Sequence, residues 1–243
     1  MYGDLDEDCI LYQMGEIFGK YETGEYNKTG LVRDINVQVK RILKVATDYG
    51  FDDNLWHNYL TFFLMMSENP FSMTCEKVGA SEGSVNALVQ NDFRIFKELF
   101  DYDFGPIEKD LGISCFSQIS HYKAIHKKDL MYNKNVSEKV RALSKTLEAA
   151  KDEKEVFDGI TGFYKDYGVG MFGLNKAFRI DEKPEGGIEF RAINNMDTVM
   201  LDDLVGYEIQ KKKLVDNTEA FVEGRKANNC LLYGDAGTGK SSS

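Results

Sequence analysis

The sequence has little proline, histidine and cysteine, and each shortage excludes a class of protein. Only 3 prolines occur among the 243 residues, so long polyproline linkers are excluded. The 4 cysteines lie far apart without any C-x-x-C pair, and the 3 histidines add no zinc-ligand spacing. We therefore expect reduced, buried thiols in a reducing compartment.

A long hydrophobic run and a basic N-terminal segment are also missing. The densest apolar run, residues 59–66, is far shorter than the roughly 20 residues that span a bilayer. The chain opens with acidic residues, so it does not begin like a secretory signal peptide. We expect a soluble, cytoplasmic protein with no membrane partner.

Positive charge is in the minority. Lys and Arg number 30 against 40 Asp and Glu, which gives a formal net charge of −10, and nearly all of the excess precedes Leu201. Such a surface repels phosphate backbones at long range, which disfavours broad nucleic-acid binding. The acidic surface either keeps the protein solvated or recruits a protein partner.

Apolar residues are plentiful, at 42% of the chain, and most of residues 1–180 has helical spacing. Two apolar stripes end at Gly24 and Gly50, which are typical helix ends. The run around Trp56 and Phe63 is apolar nearly all round and is predicted to lie at the centre of the core. The predicted helix starts are Asp53, Asn69 with Pro70, Ser81, Ser137 and Asp152.

A polar, turn-forming stretch at residues 181–187 marks the predicted domain boundary. Residues 188–192 then alternate apolar and polar, as a short strand does. The sequence therefore predicts an α-helical domain over residues 1–184 and a different domain over residues 185–243.

One motif near the C-terminus carries recognisable chemistry. Gly234-Asp235-Ala236-Gly237-Thr238-Gly239-Lys240-Ser241 fits G-x-x-x-x-G-K-[ST] at every fixed position, and it follows an apolar run, Asn229–Tyr233, suited to a buried strand. Glycines let the backbone wrap around a phosphate chain, which the loop N–H groups then hold. The alternative is a glycine-rich turn with a solvent-facing lysine, but the preceding strand pattern favours phosphate binding.

A second glycine pattern, Gly168–Gly173, formally fits G-x-G-x-x-G. It follows a predicted helix rather than a strand, and no βαβ unit surrounds it, whereas dinucleotide binding depends on that context. We interpret it as a helix end and a flexible loop.

The C-terminal motif and the segment 201–208, which combines acidic and apolar residues with Gly206, resemble an AAA+ ATPase. Residues 201–243, including Asn217, Gly224 and Asn228, are similar to a bacterial family of AAA+ proteins known only as a domain of unknown function. Residues 167–180 and the helical region are similar to that family's N-terminal part more loosely. The resemblance implies a mostly α chain, in which a helical N-terminal domain precedes the beginning of an α/β P-loop domain.

The resemblance also implies the ligands, ATP and Mg²⁺. Lys240 would reach the β- and γ-phosphates, and the Ser241 hydroxyl would hold Mg²⁺. The implied nucleotide-binding residues are Gly234, Asp235, Ala236, Gly237, Thr238, Gly239, Lys240, Ser241 and Ser242 in the loop, with Val205, Gly206 and Tyr207 beside adenine. The alternative for Val205 and Tyr207 is packing between the turn and the sheet, and Gly206 could equally be a helix-initiating turn glycine.

The sequence ends shortly after this motif, before any second acidic motif, sensor or arginine finger. We therefore expect a shortened chain that is not catalytic alone and binds ATP weakly. By the resemblance, the complete protein would hydrolyse ATP to remodel an unknown protein partner, in a ring of identical subunits. The alternative is an acidic helical interaction module with an inert loop.

The same reasoning makes a prediction about surfaces near the C-terminus. Residues 230–233 have no sheet to join and are expected to be exposed, disordered or packed on another surface. Lys240 is expected to face solvent rather than a formed pocket.

Overall fold

The computed structural model describes residues 1–80, 83–124, 133–183, 185–193 and 201–240. The fold is mostly α, as predicted. The helices are α1 (Ile10–Thr23), α2 (Lys28–Tyr49), α3 (Leu55–Met66), α4 (Pro70–Val78), α5 (Ser84–Phe100), α6 (Gly105–Leu111), α7 (Cys115–Ser120), α8 (Lys134–Glu148), α9 (Glu153–Tyr167), α10 (Gly170–Leu174) and α11 (Glu208–Val222). The strands are β1 (Phe178–Glu182) and β2 (Ile188–Ala192).

The chain divides into two compact units, Met1–Asn195 and Met196–Ser243. The predicted domain boundary at residue 184 precedes β2 and stays a prediction. Within the described ranges, no helix is both long and apolar enough to cross a membrane.

Helix α3 lies at the centre of the first unit, as its sequence predicts. It packs against helices α2, α7, α8 and α10. Leu55, Trp56, Leu60 and Leu64 are all at most 1% exposed. A helix surrounded on most sides needs apolar residues all round, which is the pattern in its sequence.

Several predicted helix ends are confirmed. Gly24 and Gly50 close α1 and α2 with φ near 70°. Asn69 caps α4 by accepting hydrogen bonds from the N–H groups of Phe71 and Ser72, both at 3.0 Å. Asp152 caps α9 by accepting from Glu155 N–H at 2.9 Å.

Two predicted caps are wrong, because an asparagine nearby takes the position. Asn54, rather than Asp53, accepts from His57 N–H at 3.1 Å and begins α3. Asn133, rather than Ser137, caps α8, and Ser137 lies inside that helix with its hydroxyl donating to Gly50 O at 3.0 Å. The predicted start at Ser81 lies outside the described residues.

Not every apolar or sulfur-bearing residue is buried as expected. Of the residues that helical spacing places on the apolar side of α5, Phe96 and Phe100 are buried, as are Val89 and Phe93, whereas Leu88 is 65% exposed. Among the cysteines Cys75 is buried, but Cys230 is exposed, so the expectation of buried thiols fails there. All four thiols are free.

The second glycine pattern is explained by close packing. Gly168 ends α9 with φ 85°, as the predicted helix end requires. A Cβ on Gly173 would lie 2.4 Å from the carbonyl carbon of Gly168, and one on Gly170 would lie 2.0 Å from Glu68 Oε1. The following residues form the short helix α10 rather than the predicted flexible loop, because these glycines let the backbone turn tightly.

Strands β1 and β2 form an antiparallel hairpin, which confirms the strand predicted at residues 188–192. Ile180 pairs with Phe190 on one face, and Arg179 pairs with Arg191 on the other. The Phe178 and Phe190 rings meet edge to face, and both contact the Phe172 ring. One face of the hairpin is therefore mainly apolar, with Glu182 at its end, and the other face is charged.

The described part of the second unit contains a 3₁₀ turn at Leu201–Asp203, helix α11 and the segment that follows it up to residue 240. The predicted strand at Asn229–Tyr233 has no regular secondary structure, because no strand lies beside it in the described part of the chain. Leu231 and Tyr233 are 83% and 88% exposed, so exposure is the outcome observed among the three that the sequence left open for this run.

Candidate functional site

The glycine-rich loop takes a conformation that its glycines make accessible. Gly237 and Gly239 have φ of 77° and 81°, a region that residues with side chains rarely adopt. A Cβ on Gly239 would also lie 2.9 Å from Leu204 Cδ2, so the end of the Leu204 side chain would have to move. The contact brings the loop against the segment that precedes α11.

Lys240 lies half-buried against its own loop. Its ammonium donates to Asp235 O at 2.6 Å and to Thr238 Oγ1 at 3.3 Å. The Thr238 hydroxyl donates to the same Asp235 carbonyl at 2.8 Å. The expectation that Lys240 would be solvent-facing is therefore wrong, because the loop turns back far enough for the lysine to reach its carbonyl.

A cleft of about 500 Å³ lies between the loop and the preceding segment. Its walls include Val205 and Tyr207, two of the residues assigned to the adenine side, and Lys240 from the phosphate side. The cleft is lined by Asp203, Leu204, Val205, Tyr207, Ala236, Gly237, Thr238, Gly239 and Lys240. The structure thus brings together two segments that the sequence separates by about thirty residues.

Gly206, the third residue assigned to the adenine side, shapes the turn. Gly206 has φ 87° and Tyr207 has φ 58°, so the chain reverses directly before α11 begins. Val205 is 95% exposed. The alternative that it packs between the turn and the sheet stays a prediction, because the described part of the second unit contains no sheet. Ser241 and Ser242, assigned to Mg²⁺ and nucleotide, lie outside the described residues.

A second cleft, of about 480 Å³, lies between α11 and the residues leading into the loop. Gly234 and Asp235 line it, together with Leu214 of α11. Lys211, also on α11, donates to Leu204 O at 2.9 Å and pairs with Glu208 at 2.9 Å. Lys211 therefore ties the turn before α11 to the helix.

Asn217 fixes the chain that leads into the loop. Its amide nitrogen donates to Asn228 O at 2.8 Å, and its amide oxygen accepts from Asn228 N–H at 2.9 Å. This two-way contact mimics one rung of a β-ladder and sets the path of residues 228–230 along α11. In the sequence, only the family resemblance distinguishes Asn217 from other polar residues of α11.

Sequence reasoning missed Asp203, Leu204 and Lys211 as parts of the site. The acidic and apolar character of residues 201–208 was visible, but nothing in it indicated which side chains line a cleft. Lys211 is one of three consecutive lysines on α11, and only the geometry separates it from the exposed Lys212 and Lys213.

Comparisons with known proteins match part of the chain to a family model. No curated protein and no solved structure matches the chain significantly. Residues 174–243, which include the hairpin, α11 and the glycine-rich loop, match a family model described as "Protein of unknown function (DUF815)".

Proposed function

We propose that residues 201–240 form the phosphate-binding and base-binding portion of an AAA+ type ATP site. The observation that carries the proposal is the single cleft lined by Val205 and Tyr207 on one wall and by Gly237–Lys240 on the other. The loop residues fit the P-loop motif, and the opposite wall comes from the segment that resembles the AAA+ adenine side.

The residues of the loop are suited to a nucleoside triphosphate. Positive φ at Gly237 and Gly239 allows the loop backbone to approach phosphate closely. Lys240 supplies a cation in the cleft, and its contact with Asp235 O is one that a phosphate oxygen would replace. The hydroxyl of Ser241 would hold Mg²⁺, and ATP supplies the phosphoryl chemistry when bound.

For the complete protein, we propose ATP hydrolysis coupled to remodelling of a protein partner, in an oligomer of identical subunits. Hydrolysis requires an acidic metal-binding motif and an arginine in addition to this loop. The alternative function is an acidic helical module that recruits a partner. The helical core of the first unit and the net charge of −10 are consistent with it.

The test is a two-dimensional NMR titration of the full chain with Mg-ATP and, separately, with Mg-tripolyphosphate. Both ligands should shift the amides of residues 236–240, because both carry the phosphates. Only ATP should also shift residues 203–207, because only ATP carries a base. Binding is expected to be weak, since an isolated loop must order itself at about 1–2 kcal/mol per residue.

Two lysine variants make the test specific. Lys240→Ala should weaken the binding of both ligands at least about tenfold, which is a loss of about 1.4 kcal/mol in binding free energy. Lys213→Ala removes an exposed lysine from α11 in the same unit and should leave both titrations unchanged. Equal weakening by the two substitutions, or the absence of any shift at millimolar ligand, would contradict the proposed function.

A further inference from the structure

A cavity of about 260 Å³ lies in the first unit. It is bounded by the N-terminal segment and by helices α1, α3 and α5. Its deep wall includes Met14, Trp56 and Phe96, which are at most 3% exposed. Ile95, at 41% exposed, lies at the rim, so the cavity is reachable from solvent.

Apart from the Asp92 carboxylate, the walls of this cavity present carbon rather than hydrogen-bonding groups. The indole N–H of Trp56 already donates to Leu99 O at 3.0 Å. The hydroxyl of Tyr2 pairs with the Tyr164 hydroxyl at 2.9 Å, deep in the core. A ligand with polar groups would lose hydrogen bonds to water on entry and recover few from these walls.

The acidic N-terminal segment beside the cavity disfavours anions, whereas the charge of Asp92 is balanced by the N-terminal ammonium. The Asp92 carboxylate is on the lining, where it accepts from the N-terminal ammonium at 2.7 Å and from Tyr2 N–H at 3.2 Å. The N-terminal segment that forms one wall adds the exposed acidic side chains of Asp4, Asp6 and Glu7. Their field opposes the approach of a carboxylate or phosphate.

We propose that this cavity is a binding site for a small, uncharged apolar molecule, such as an aromatic ring with a short alkyl chain. The size supports this class, since an apolar cavity of about 150 Å³ is enough to hold benzene. The site belongs to the helical unit and is independent of the proposed nucleotide site, so either proposal can fail without the other.

The fluorescence of Trp56 can show whether a ligand occupies the cavity. Trp56 is the only tryptophan in the sequence, and it lines the cavity. The probes are ethylbenzene and phenylacetate, which have the same ring and differ in a terminal methyl or carboxylate. Ethylbenzene should change the Trp56 emission saturably, and phenylacetate should bind at least about tenfold more weakly.

A filled-cavity variant provides the control. Gly15 on α1 lines the cavity, and a Cβ at that position has no neighbour within 4 Å. Gly15→Leu should occupy the cavity and abolish the saturable response. Gly15→Ala adds only a methyl group in a helix and should retain ethylbenzene binding.

A second measurement covers the case in which Gly15→Leu does not fold. In the unsubstituted protein, the ring current of bound ethylbenzene should shift the NMR signal of the Met14 methyl, which lies in the cavity wall. The Met73 methyl, on exposed α4 surface, should not move. A non-saturating Trp56 response, equal shifts of both methyls, or equal affinity for phenylacetate would overturn the proposal.

Discussion

At the scale of single residues, His57 is a buried titratable group in the first unit. Its Nε2 lies 2.8 Å from Phe100 O and its Nδ1 lies 3.6 Å from Glu148 Oε1. Burial is the largest influence on His57 and lowers its pKa below the ordinary value, and Lys97 lowers it further. Glu148, the Phe100 carbonyl and Asp101 raise the pKa, but they do not offset the burial. The imidazole is therefore neutral near pH 7.

This lowered pKa predicts a loss of stability in mild acid. The folded-state pKa of His57 is below its unfolded value of about 6.5. At a pH between these two pKa values, the unfolded chain therefore binds more protons than the folded protein. The free energy of unfolding should therefore fall as pH drops below about 6.5. His57→Gln, which keeps a donor for Phe100 O, should reduce this fall, as measured by urea unfolding at pH 7.5 and 5.5. An identical pH dependence in the variant would contradict the prediction.

Gly173 offers a second prediction at this scale. A Cβ there would overlap the backbone of Gly168, which cannot move aside as a side chain can. Gly173→Ala should lower the free energy of unfolding by about 2–3 kcal/mol. Gly162→Ala is the matched control, because Gly162 is exposed in α9 and its Cβ would have no neighbour within 4 Å. That control should be neutral or stabilise by up to about 1 kcal/mol.

At the scale of elements, α11 and the segment after it are joined by one side chain. Asn217 satisfies both the N–H and the carbonyl of Asn228, and its amide also contacts Cys230 Sγ at 3.2 Å. The exposed run that follows, including Leu231 and Tyr233, has little apolar packing to hold it. Asn217 should therefore determine how well the chain enters the loop.

Replacing Asn217 tests this role. Asn217→Ala should increase hydrogen exchange at the Asn228 amide, because its acceptor is removed. Thr218→Ala is the control, since the Thr218 hydroxyl donates only within α11, to Leu214 O at 2.8 Å. Unchanged protection of Asn228 in the Asn217 variant would show that other contacts hold this segment.

At the scale of the whole molecule, the two units differ in how much core they have. The buried apolar residues of the main core all lie between Tyr2 and Leu174. In the described part of the second unit, Ala220 is the apolar residue that is buried, while Ile209, Phe221 and Val222 are at least 70% exposed. Burial of apolar surface is the main source of folding free energy, so the first unit should fold without the second.

The corresponding prediction concerns a fragment of residues 1–195, which matches the first compact unit. Its thermal unfolding should be cooperative, with a midpoint within about 4 °C of that of the full chain. Circular dichroism of both proteins would measure this. Loss of a cooperative transition in the fragment would show that residues after 195 contribute to the core.

Local chemistry explains which structural features could be predicted from sequence. Asn69 with Pro70, Asp152 and the glycines after α1 and α2 act on their immediate neighbours, so their effects are readable within a few residues. Asp53 and Asn54 are adjacent and both able to cap. Which of them begins α3 depends on where the helix packs, and that choice was predicted wrongly.

In the candidate site, too, some features follow from local sequence and others from tertiary packing. The sequence by itself determined the mostly helical fold and identified the glycine-rich loop, because helical spacing and motif spacing are local patterns. Only the tertiary structure decided that Leu204 approaches Gly239, that Lys211 ties the preceding turn to α11, and that Lys240 turns back onto Asp235 O. These contacts join segments far apart in the chain, and their geometry depends on packing that no local pattern encodes.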